Sequence, residues 1–372
     1  MTQKLGFGFM RLPLTDRDDQ TSADTDMINR MVDTFLERGF TYFDTAYMYH
    51  NFKSEEFLRE SLVKRHDRST FTVASKLPVV MLKSESDNER IFGEQLQKCG
   101  VEYFDYYLLH NLNANDYDIM ENFHCFDFVK QKKAEGKIKH IGFSFHDSPE
   151  LLDRILTDHP EAEFVQLQIN YLDWDSAGVQ SRRCYETAVK HGKPVIVMEP
   201  VKGGMLADVP GKAEQAFKAV HPDWSVPSWA IRFAASLDNV MMVLSGMSNY
   251  NQLDENTSFM RQFVPLDERE NAVIKTAVRI INESIAVPCT GCRYCVAGCP
   301  KHIPIPVYFS IYNEKKKAPA GGFDAQKMYY QNYARNNSKA SDCIGCRLCE
   351  RACPQHLPVP EYLREVAARF EN

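Results

Sequence analysis

Cysteine spacing constrains this chain of 372 residues more than any other feature of its sequence. Eight of its eleven cysteines fall between Cys289 and Cys353, in two copies of the pattern C-x2-C-x2-C-x3-C-P. The first copy reads CTGCRYCVAGCPKHIPIP from Cys289, and the second reads CIGCRLCERACPQHLPVP from Cys343. A repeat of this kind predicts two copies of one structural unit.

Four thiolates in this spacing are typical ligands of a [4Fe–4S] cube. Three closely spaced cysteines hold one cube, and the cysteine before proline reaches the other cube. The sequence therefore predicts two cubes, the first held by Cys289, Cys292, Cys295 and Cys353, and the second by Cys343, Cys346, Cys349 and Cys299. Zinc is the alternative, but it usually binds paired C-x2-C motifs, which fits these triplets poorly. The tail resembles the dicluster ferredoxins, and the long segment between Cys299 and Cys343 favours their helical variety.

The composition excludes several other classes of protein. Hydrophobic residues make up 44% of the chain and charged residues 25%, which is typical of a globular protein. A formal net charge of −6 offers no basic surface for nucleic acid. There is no run of 18 apolar residues, so we expect no membrane span. The N-terminus lacks the apolar stretch of an export signal, and we therefore expect a cytoplasmic protein in a reducing environment.

Strand-like and helix-like segments alternate from the N-terminus to about residue 265. The eight predicted strands are Leu5–Gly8, Tyr42–Asp44, Phe71–Ala74, Tyr106–Leu109, Ile141–Phe143, Phe164–Leu167, Pro194–Val197 and Val240–Leu244. Strands that alternate with helices pair in parallel, and eight of them over roughly 250 residues predict an α/β fold, a closed (β/α)8 TIM barrel. An open doubly wound sheet is the alternative, but no G-x-G-x-x-G follows an early strand.

A domain boundary is predicted near Ala286, where the composition changes to cysteine, proline and lysine. The segment Asn271–Glu283 before it has the pattern of a helix that leaves the barrel. We therefore expect the barrel over residues 1–285 and a small, mainly helical ferredoxin-like domain over residues 286–372.

Polar residues lie at the ends of three consecutive predicted strands, where the catalytic groups of a barrel are found. Asp44 ends the second strand and Tyr49 comes five residues later, while Lys76 follows the third strand and His110 follows the fourth. Each of them alone is more often part of a structural ion pair or a capped loop. The four together favour a catalytic site.

Residues 1 to about 265 resemble the aldo-keto reductase family. The matching segments, in chain order, are LGFGFMRLP, FDTAYMYHNFKSEEFL, VASKL, DYYLLH, IGFSFHD, VQLQINY, EPVKGGML and LSGMSNYNQLDEN. The resemblance implies an enzyme that reduces a small carbonyl substrate with hydride from NADP(H) or NAD(H). It also implies that Asp44, Tyr49, Lys76 and His110 form the catalytic tetrad.

The chemistry of the tetrad fits these residue types. Tyr49 is expected to donate the proton, and its pKa of about 10 must be lowered for proton transfer near neutral pH. The positive charge of Lys76 favours the phenolate, and Asp44 compensates that charge. His110 is expected to orient the substrate oxygen.

The resemblance also implies which residues bind the nicotinamide cofactor. They are Ser144, Gln166, Pro200, Gly203, Gly204, Ser245, Gly246, Ser248, Gln252, Glu255 and Asn256. Phe145 departs from the family's usual Asn at the nicotinamide. Gly246 and Gln252 are neutral where many members carry Lys and Arg against the 2′-phosphate, so we expect only a slight preference for NADP(H) over NAD(H).

Three functions remain open at this point. The first is a carbonyl reductase that carries two [4Fe–4S] clusters, and the complete tetrad favours it. The second is an electron-transfer subunit of a larger redox complex, in which the barrel is a scaffold and a redox partner protein docks. The third is a non-catalytic binding subunit, like the potassium-channel β subunits that share this barrel.

Overall fold

The computed structural model describes residues 3–16, 18–114, 116–176, 179–317 and 325–371. The chain forms two compact units. The first unit comprises residues 1–175, 180–200 and 230–266, and the second comprises residues 176–179, 201–229 and 267–372.

The first unit is built on a closed barrel of eight parallel strands in the order β1 to β8, which confirms the predicted (β/α)8 fold. The strands are β1 (Leu5–Gly8), β2 (Tyr42–Asp44), β3 (Thr72–Leu77), β4 (Phe104–Leu112), β5 (Ile138–Phe145), β6 (Phe164–Gln168), β7 (Val195–Met198) and β8 (Val240–Gly246).

Several strands extend further toward their C-terminal ends than the β-rich runs in the sequence indicate. Lys76 lies within β3, paired with Leu108, and His110 lies within β4. Parallel pairing with a neighbour continues past the apolar run, so polar side chains at these positions belong to the strands themselves. The barrel therefore holds both side chains on rigid backbone rather than on loops.

Side chains from six strands meet in one apolar cluster, which only the interior of the barrel allows. Its buried members are Tyr42, Ala74, Leu108, Phe164, Ile196, Met242 and Leu244. Gly142 on β5 makes room for this layer, because a Cβ atom there would lie 2.5 Å from the carbonyl oxygen of Phe164 and 2.8 Å from its ring. The interior is thus a packed core, as is typical of this fold.

Among the described residues, the α-helices of the chain are α1 (Thr25–Glu37), α2 (Ser54–Leu58), α3 (Ser86–Cys99), α4 (Tyr117–Asn122), α5 (Cys125–Ala134), α6 (Pro149–Asp158), α7 (Ser181–Lys190), α8 (Gly211–Lys218), α9 (Val226–Ala235), α10 (Tyr250–Met260), α11 (Glu268–Ser284), α12 (Tyr294–Ala297), α13 (Ile305–Lys317), α14 (Ala325–Ala334), α15 (Leu348–Arg351) and α16 (Val359–Phe370). Within the described ranges, every helix is too short or too polar to cross a bilayer. Helix α11 begins three residues before the predicted Asn271, because Asp267 and Glu270 form a capping box at its N-terminus.

The second unit has an apolar core of its own, made by the segments around the two cysteine repeats. The core includes Ile303, Tyr308, Phe309, Leu363 and Phe370, all at most 1% exposed, and six of the eight repeat cysteines belong to it or pack against it. Helices α13 and α16 follow the first and second repeats, in agreement with the prediction of a mainly helical domain. The cysteine loops are therefore anchored on a packed helical framework.

A buried polar network supports β3 from outside the barrel. Glu55 on α2 accepts hydrogen bonds of 2.7 Å from Ser75 Oγ and Gln95 Nε2, and Gln95 also donates to the backbone carbonyl of Lys76. Tyr107 completes the network by donating to Gln95 Oε1. Burial raises the pKa of Glu55 to about 7, although Ser75 and Gln95 act the other way. Glu55 is therefore largely protonated below neutral pH in the folded chain.

This pKa predicts a dependence of stability on pH. The unfolded chain ionises Glu55 near pH 4.5 and the folded chain near pH 7, so the free energy of unfolding falls between these values. The loss amounts to about 3 kcal/mol at most. Glu55→Gln keeps the acceptor oxygen and removes the ionisation. We expect the thermal midpoint of the wild-type holoprotein to fall relative to Glu55→Gln between pH 5 and pH 8.

Glu60→Gln is the matched control, because Glu60 is an exposed glutamate one turn further along the chain. Its thermal midpoint should follow that of the wild type across the same pH range. If the thermal midpoints of the wild type and of Glu55→Gln change in parallel with pH, then Glu55 ionises normally in the folded protein.

Candidate active site and cysteine cavities

Lys76 lies at the centre of the polar groups at the mouth of the barrel. Its ammonium, which is fully buried, donates to Asp44 Oδ1 at 2.6 Å and to the carbonyl oxygen of Thr45 at 2.8 Å. The same nitrogen lies 3.5 Å from the hydroxyl of Tyr49. Burial alone raises the pKa of Asp44 and lowers that of Lys76, and each charge opposes this effect on its partner. The two residues therefore form a compensated buried ion pair.

Tyr49 is held as a neutral phenol in this arrangement. Burial, Asp44 and Glu199 raise the pKa of Tyr49 well above its ordinary value, and Arg11 acts in the opposite direction. This differs from the expectation that Lys76 lowers the pKa of Tyr49. The reason is geometric, because the ammonium is closer to Asp44 and Thr45 than to the phenol, and Asp44 offsets its charge.

His110 completes the group on the side of β4. Its ring meets that of Tyr49 edge to face, with centroids 5.9 Å apart. Burial lowers the pKa of His110 well below its ordinary value, and Lys76 and His146 lower it further. His110 is therefore a neutral imidazole, and its buried Nδ1 has no hydrogen-bond partner among the described residues. A neutral imidazole is able to donate one hydrogen bond to a substrate oxygen.

Ser144 and Gln166 lie side by side, because β5 and β6 pair these two residues directly. Both side chains are buried, at 1% and 2% exposure. Ser144 Oγ accepts from the backbone N–H of Asn111 at 2.7 Å, and Gln166 Nε2 donates to the sulfur of Met198. The oxygen Oε1 of Gln166 is buried without a partner in the described part of the chain. This acceptor suits an external amide group.

The loop after β8 contains most of the other expected cofactor residues. Asn256 Nδ2 donates to Ser245 Oγ at 3.2 Å, and the backbone N–H of Ser248 donates to Gln252 Oε1 at 2.7 Å. Glu255 precedes Asn256 on α10, and this helix begins directly after the loop. Backbone N–H groups at a helix N-terminus favour anionic groups. Pro200 ends the segment after β7 that belongs to the first unit.

Gly203 and Gly204 belong to the second unit and have left-handed backbone conformations, with φ of +65° and +98°. A Cβ atom on Gly203 would lie 2.4 Å from the carbonyl oxygen of Thr290 in the first cysteine loop. Within its own unit, Gly203 is therefore packed against the first cysteine repeat, whereas a Cβ atom on Gly204 would meet nothing within 4 Å.

The eight repeat cysteines surround two cavities in the second unit. The first cavity, which is partly open to solvent, is lined by Cys289, Cys292, Cys295 and Cys353. The second is lined by Cys299, Cys343, Cys346 and Cys349. Each cavity thus takes three thiols from one repeat and the fourth, before proline, from the other.

The two repeats also adopt the same backbone conformation. Gly291 and Gly345 both have a φ of +69°, and the next matching pair, Arg293 and Arg347, is left-handed as well. The last matching pair is His302 and His356, with φ of +51° and +49°. Their backbone N–H groups donate to the carbonyl oxygens of Cys299 and Cys353. These two histidines therefore shape the ends of the loops.

Two polar groups at the barrel mouth were missed in the sequence. Arg11 lies 3.8 Å from Glu199, and both charges act on Tyr49. The second group is a buried network after β6, in which Asn170 and Gln168 donate to Asp173. The position of charged or amide residues at strand ends was the signal by which these groups could have been found. Arg11 comes three residues after the end of β1, and Glu199 comes directly after β7.

Comparison with known proteins identifies both parts of the chain. Residues 4–279 match the model of the aldo/keto reductase family, and residues 288–358 match that of a 4Fe-4S dicluster domain. An uncharacterized oxidoreductase, YqkF of Bacillus subtilis, is 22% identical over 255 residues, which are 61% of this chain and 79% of YqkF.

Two solved structures share the barrel fold. The aldo-keto reductase AKR11C1 of Bacillus halodurans, in its holo form, superposes with a TM-score of 0.60 at 23% identity, over 74% of this chain and 91% of its own. An aldo-keto reductase of Klebsiella pneumoniae in complex with NADPH gives a TM-score of 0.59 at 17% identity, over 73% and 90%. The chain therefore belongs to the aldo/keto reductase family of NAD(P)-dependent oxidoreductases, and a 4Fe-4S dicluster domain follows its barrel.

Proposed function

We propose that this protein reduces the carbonyl group of a small aldehyde or ketone, with Tyr49 as the proton donor. The observation that carries the proposal is the position of the Lys76 ammonium, which holds Asp44 at 2.6 Å and reaches the Tyr49 hydroxyl at 3.5 Å. His110 meets the Tyr49 ring from β4. A carbonyl oxygen needs hydrogen-bond and proton donors during its reduction. The neutral phenol of Tyr49 and the neutral imidazole of His110 provide two such donors next to each other.

The four residues have distinct roles in this proposal. Tyr49 remains protonated until the substrate oxygen gains negative charge, and it then releases its proton. Lys76 stabilises the phenolate that is left behind, since its ammonium is already fixed beside it. Asp44 keeps Lys76 charged and in place. His110 donates a hydrogen bond that orients the substrate oxygen toward Tyr49.

The residues of β5 and β6 fit a nicotinamide. The buried oxygen of Gln166 lacks a partner among the described residues and offers an acceptor to a carboxamide N–H, with the Ser144 hydroxyl beside it on the paired strand. When bound, the nicotinamide supplies the hydride. Ser245, Gly246, Ser248, Gln252, Glu255 and Asn256 are proposed to bind the adenosine end. With neutral Gly246 and Gln252, we propose NADP(H) with only a slight preference over NAD(H).

Tyr49→Phe tests the proton donor. The substitution keeps the ring but removes the hydroxyl, so the rate of carbonyl reduction should fall by about 10²-fold or more while nicotinamide binding persists. Lys76→Met should be at least as harmful, because it leaves Asp44 as an unpaired buried charge. Stopped-flow measurement of hydride transfer and fluorescence titration of the nicotinamide separate these two effects.

Tyr47→Phe is the matched control, since Tyr47 lies in the same loop and donates to Glu94 outside the tetrad. It should retain the wild-type rate of hydride transfer. If Tyr49→Phe reduces aldehydes as fast as Tyr47→Phe, Tyr49 is not the proton donor.

We further propose that the second unit holds two [4Fe–4S] clusters, one in each cysteine cavity. The lining of the cavities supports this, because each gathers four thiols, three from one repeat and the fourth from the other. Burial raises the pKa of Cys289 and of Cys349 to about 11, and neighbouring thiols contribute in the same direction. A raised pKa means that the buried thiolate is unfavourable without a metal. Iron stabilises the thiolate, because cluster ligands bind in this form. The domain boundary is proposed to lie between residues 285 and 286.

The exchange of ligands between repeats gives a specific test. Anaerobically purified protein should contain close to eight irons per chain, as two cubes require. Cys353→Ser should alter the same electron paramagnetic resonance signal as Cys295→Ser, although residue 353 belongs to the other repeat. Cys299→Ser should alter the signal that Cys349→Ser alters. Stoichiometric zinc would contradict the proposal. It would also be contradicted if Cys353→Ser altered the same signal as Cys349→Ser, and Cys299→Ser the same signal as Cys295→Ser.

An electron-transfer subunit of a larger redox complex is the second candidate, and the dicluster domain favours it. Each cube carries one electron whereas a nicotinamide carries a hydride, so exchange between them requires an adapter such as flavin. A flavin spectrum in the purified protein would favour this candidate, together with a redox partner protein. Thiolate ligands in either case call for a reducing compartment, and we propose the cytoplasm.

A further inference from the structure

Lys202 is a buried lysine of the second unit, outside the proposed tetrad. It is 1% exposed, and its ammonium donates to Oε1 of Gln355. Gln355 follows Cys353 by two residues and lines the first cysteine cavity. A buried ammonium is costly unless nearby negative charge compensates it. Lys202 is therefore a buried positive charge in contact with a residue that lines this cavity.

The contact with Lys202 fixes the orientation of the Gln355 amide. An ammonium group only donates hydrogen bonds, so the amide oxygen must face Lys202 and the amide nitrogen must face away. Gln355 is 5% exposed, and its Nε2 is buried without a partner in the part of the chain that the structure describes. A buried donor without an acceptor carries a free-energy cost. An acceptor within the cavity that Gln355 lines removes this cost.

The backbone around Lys202 is held tightly against this cavity. Lys202 itself has a φ of +48° and Gly203 has a φ of +65°, and Gly203 packs against Thr290, which lines the same cavity. Non-glycine residues with positive φ are uncommon and persist where surrounding contacts enforce them. The contacts with Thr290 and Gln355 are therefore a built feature of the unit.

The second cavity has a different residue at the matching position of the repeat. Lys301 corresponds to Gln355 there, and its side chain is exposed. Cys346 of this cavity is exposed as well. Water screens an exposed charge far more than a buried one, so the two cavities differ in the electrostatic environment that they provide.

We propose that Lys202 and Gln355 raise the reduction potential of the cluster in the first cavity, an inference that rests on the two-cluster proposal above. Gln355 Nε2 donates a hydrogen bond to a sulfur of that cluster, and Lys202 orients the amide and adds a positive charge. One-electron reduction adds one negative charge to the cluster, so both groups stabilise the reduced form more than the oxidised form. Hydrogen bonds to sulfur and local charge are known determinants of cluster potential.

The test is a redox titration of the holoprotein followed by electron paramagnetic resonance. In Lys202→Met, the ratio of reduced to oxidised first cluster at a fixed potential should fall about tenfold, which is a shift of ~59 mV for one electron. The second cluster should keep its potential. Lys212→Met is the matched control, because it removes the same charge from an exposed position on α8 and should leave both potentials unchanged.

Gln355→Glu provides a second variant that retains an acceptor for Lys202. It replaces the N–H donor with a carboxylate, so the ratio for the first cluster should again fall at least tenfold. Wild-type potentials in both Lys202→Met and Gln355→Glu, with close to eight irons per chain, would overturn the inference. Zinc in place of iron in the wild type would instead overturn the two-cluster proposal.

The potentials of the two clusters in the wild-type protein provide a further comparison. Its two clusters should titrate separately, and the one assigned to the first cavity by Cys295→Ser should have the higher potential. Coincident midpoints, or a higher potential for the second cluster, would contradict the inference.

Discussion

The buried charge of Lys76 is the constraint on which the barrel site depends. A fully buried ammonium is tolerated because Asp44 and the carbonyl oxygen of Thr45 compensate it at hydrogen-bond distance. The backbone of Lys76 is fixed as well, since Gln95 donates to its carbonyl oxygen from the Glu55 network. The rings of Tyr49 and His110 then lie in contact at the mouth of the barrel. Asp44, Lys76 and His110 lie on strands, and Tyr49 lies on the loop that follows β2, so the strands fix three of the four side chains proposed to take part in proton transfer.

This arrangement explains why a tyrosine with a raised pKa still suits the proposed role. A general acid must hold its proton until the substrate oxygen becomes negative, and a neutral Tyr49 does so across the physiological pH range. On the sequence alone, Lys76 is expected to lower the pKa of Tyr49 before any substrate binds. In the structure, Asp44 offsets the ammonium, so the benefit of Lys76 comes when the phenolate forms.

The sequence was sufficient for the architecture and for the order of the strands, because β-rich runs and helical patterns alternate regularly. It placed the ends of β3 and β4 too early, since pairing with neighbouring strands continues through polar residues such as Lys76. The sequence does not indicate which distant residues contact each other. Lys202 and Gln355 are 153 positions apart, and no periodicity or motif in either segment indicates that they meet. Arg11 and Glu199 both follow predicted strands, but nothing in the sequence indicates that they pair with each other.

The central claim is that hydride passes from the nicotinamide to the carbonyl carbon, with Tyr49 as the source of the proton. Isotope labelling tests this claim most directly. The holoprotein would be given an aromatic aldehyde and each of the two NADPH stereoisomers that carry deuterium at C4, and the alcohol would be analysed by mass spectrometry. The account predicts deuterium on the carbinol carbon with one of the two isomers. An unlabelled carbinol carbon with both isomers would contradict it, because the electrons would then have reached the substrate by another route.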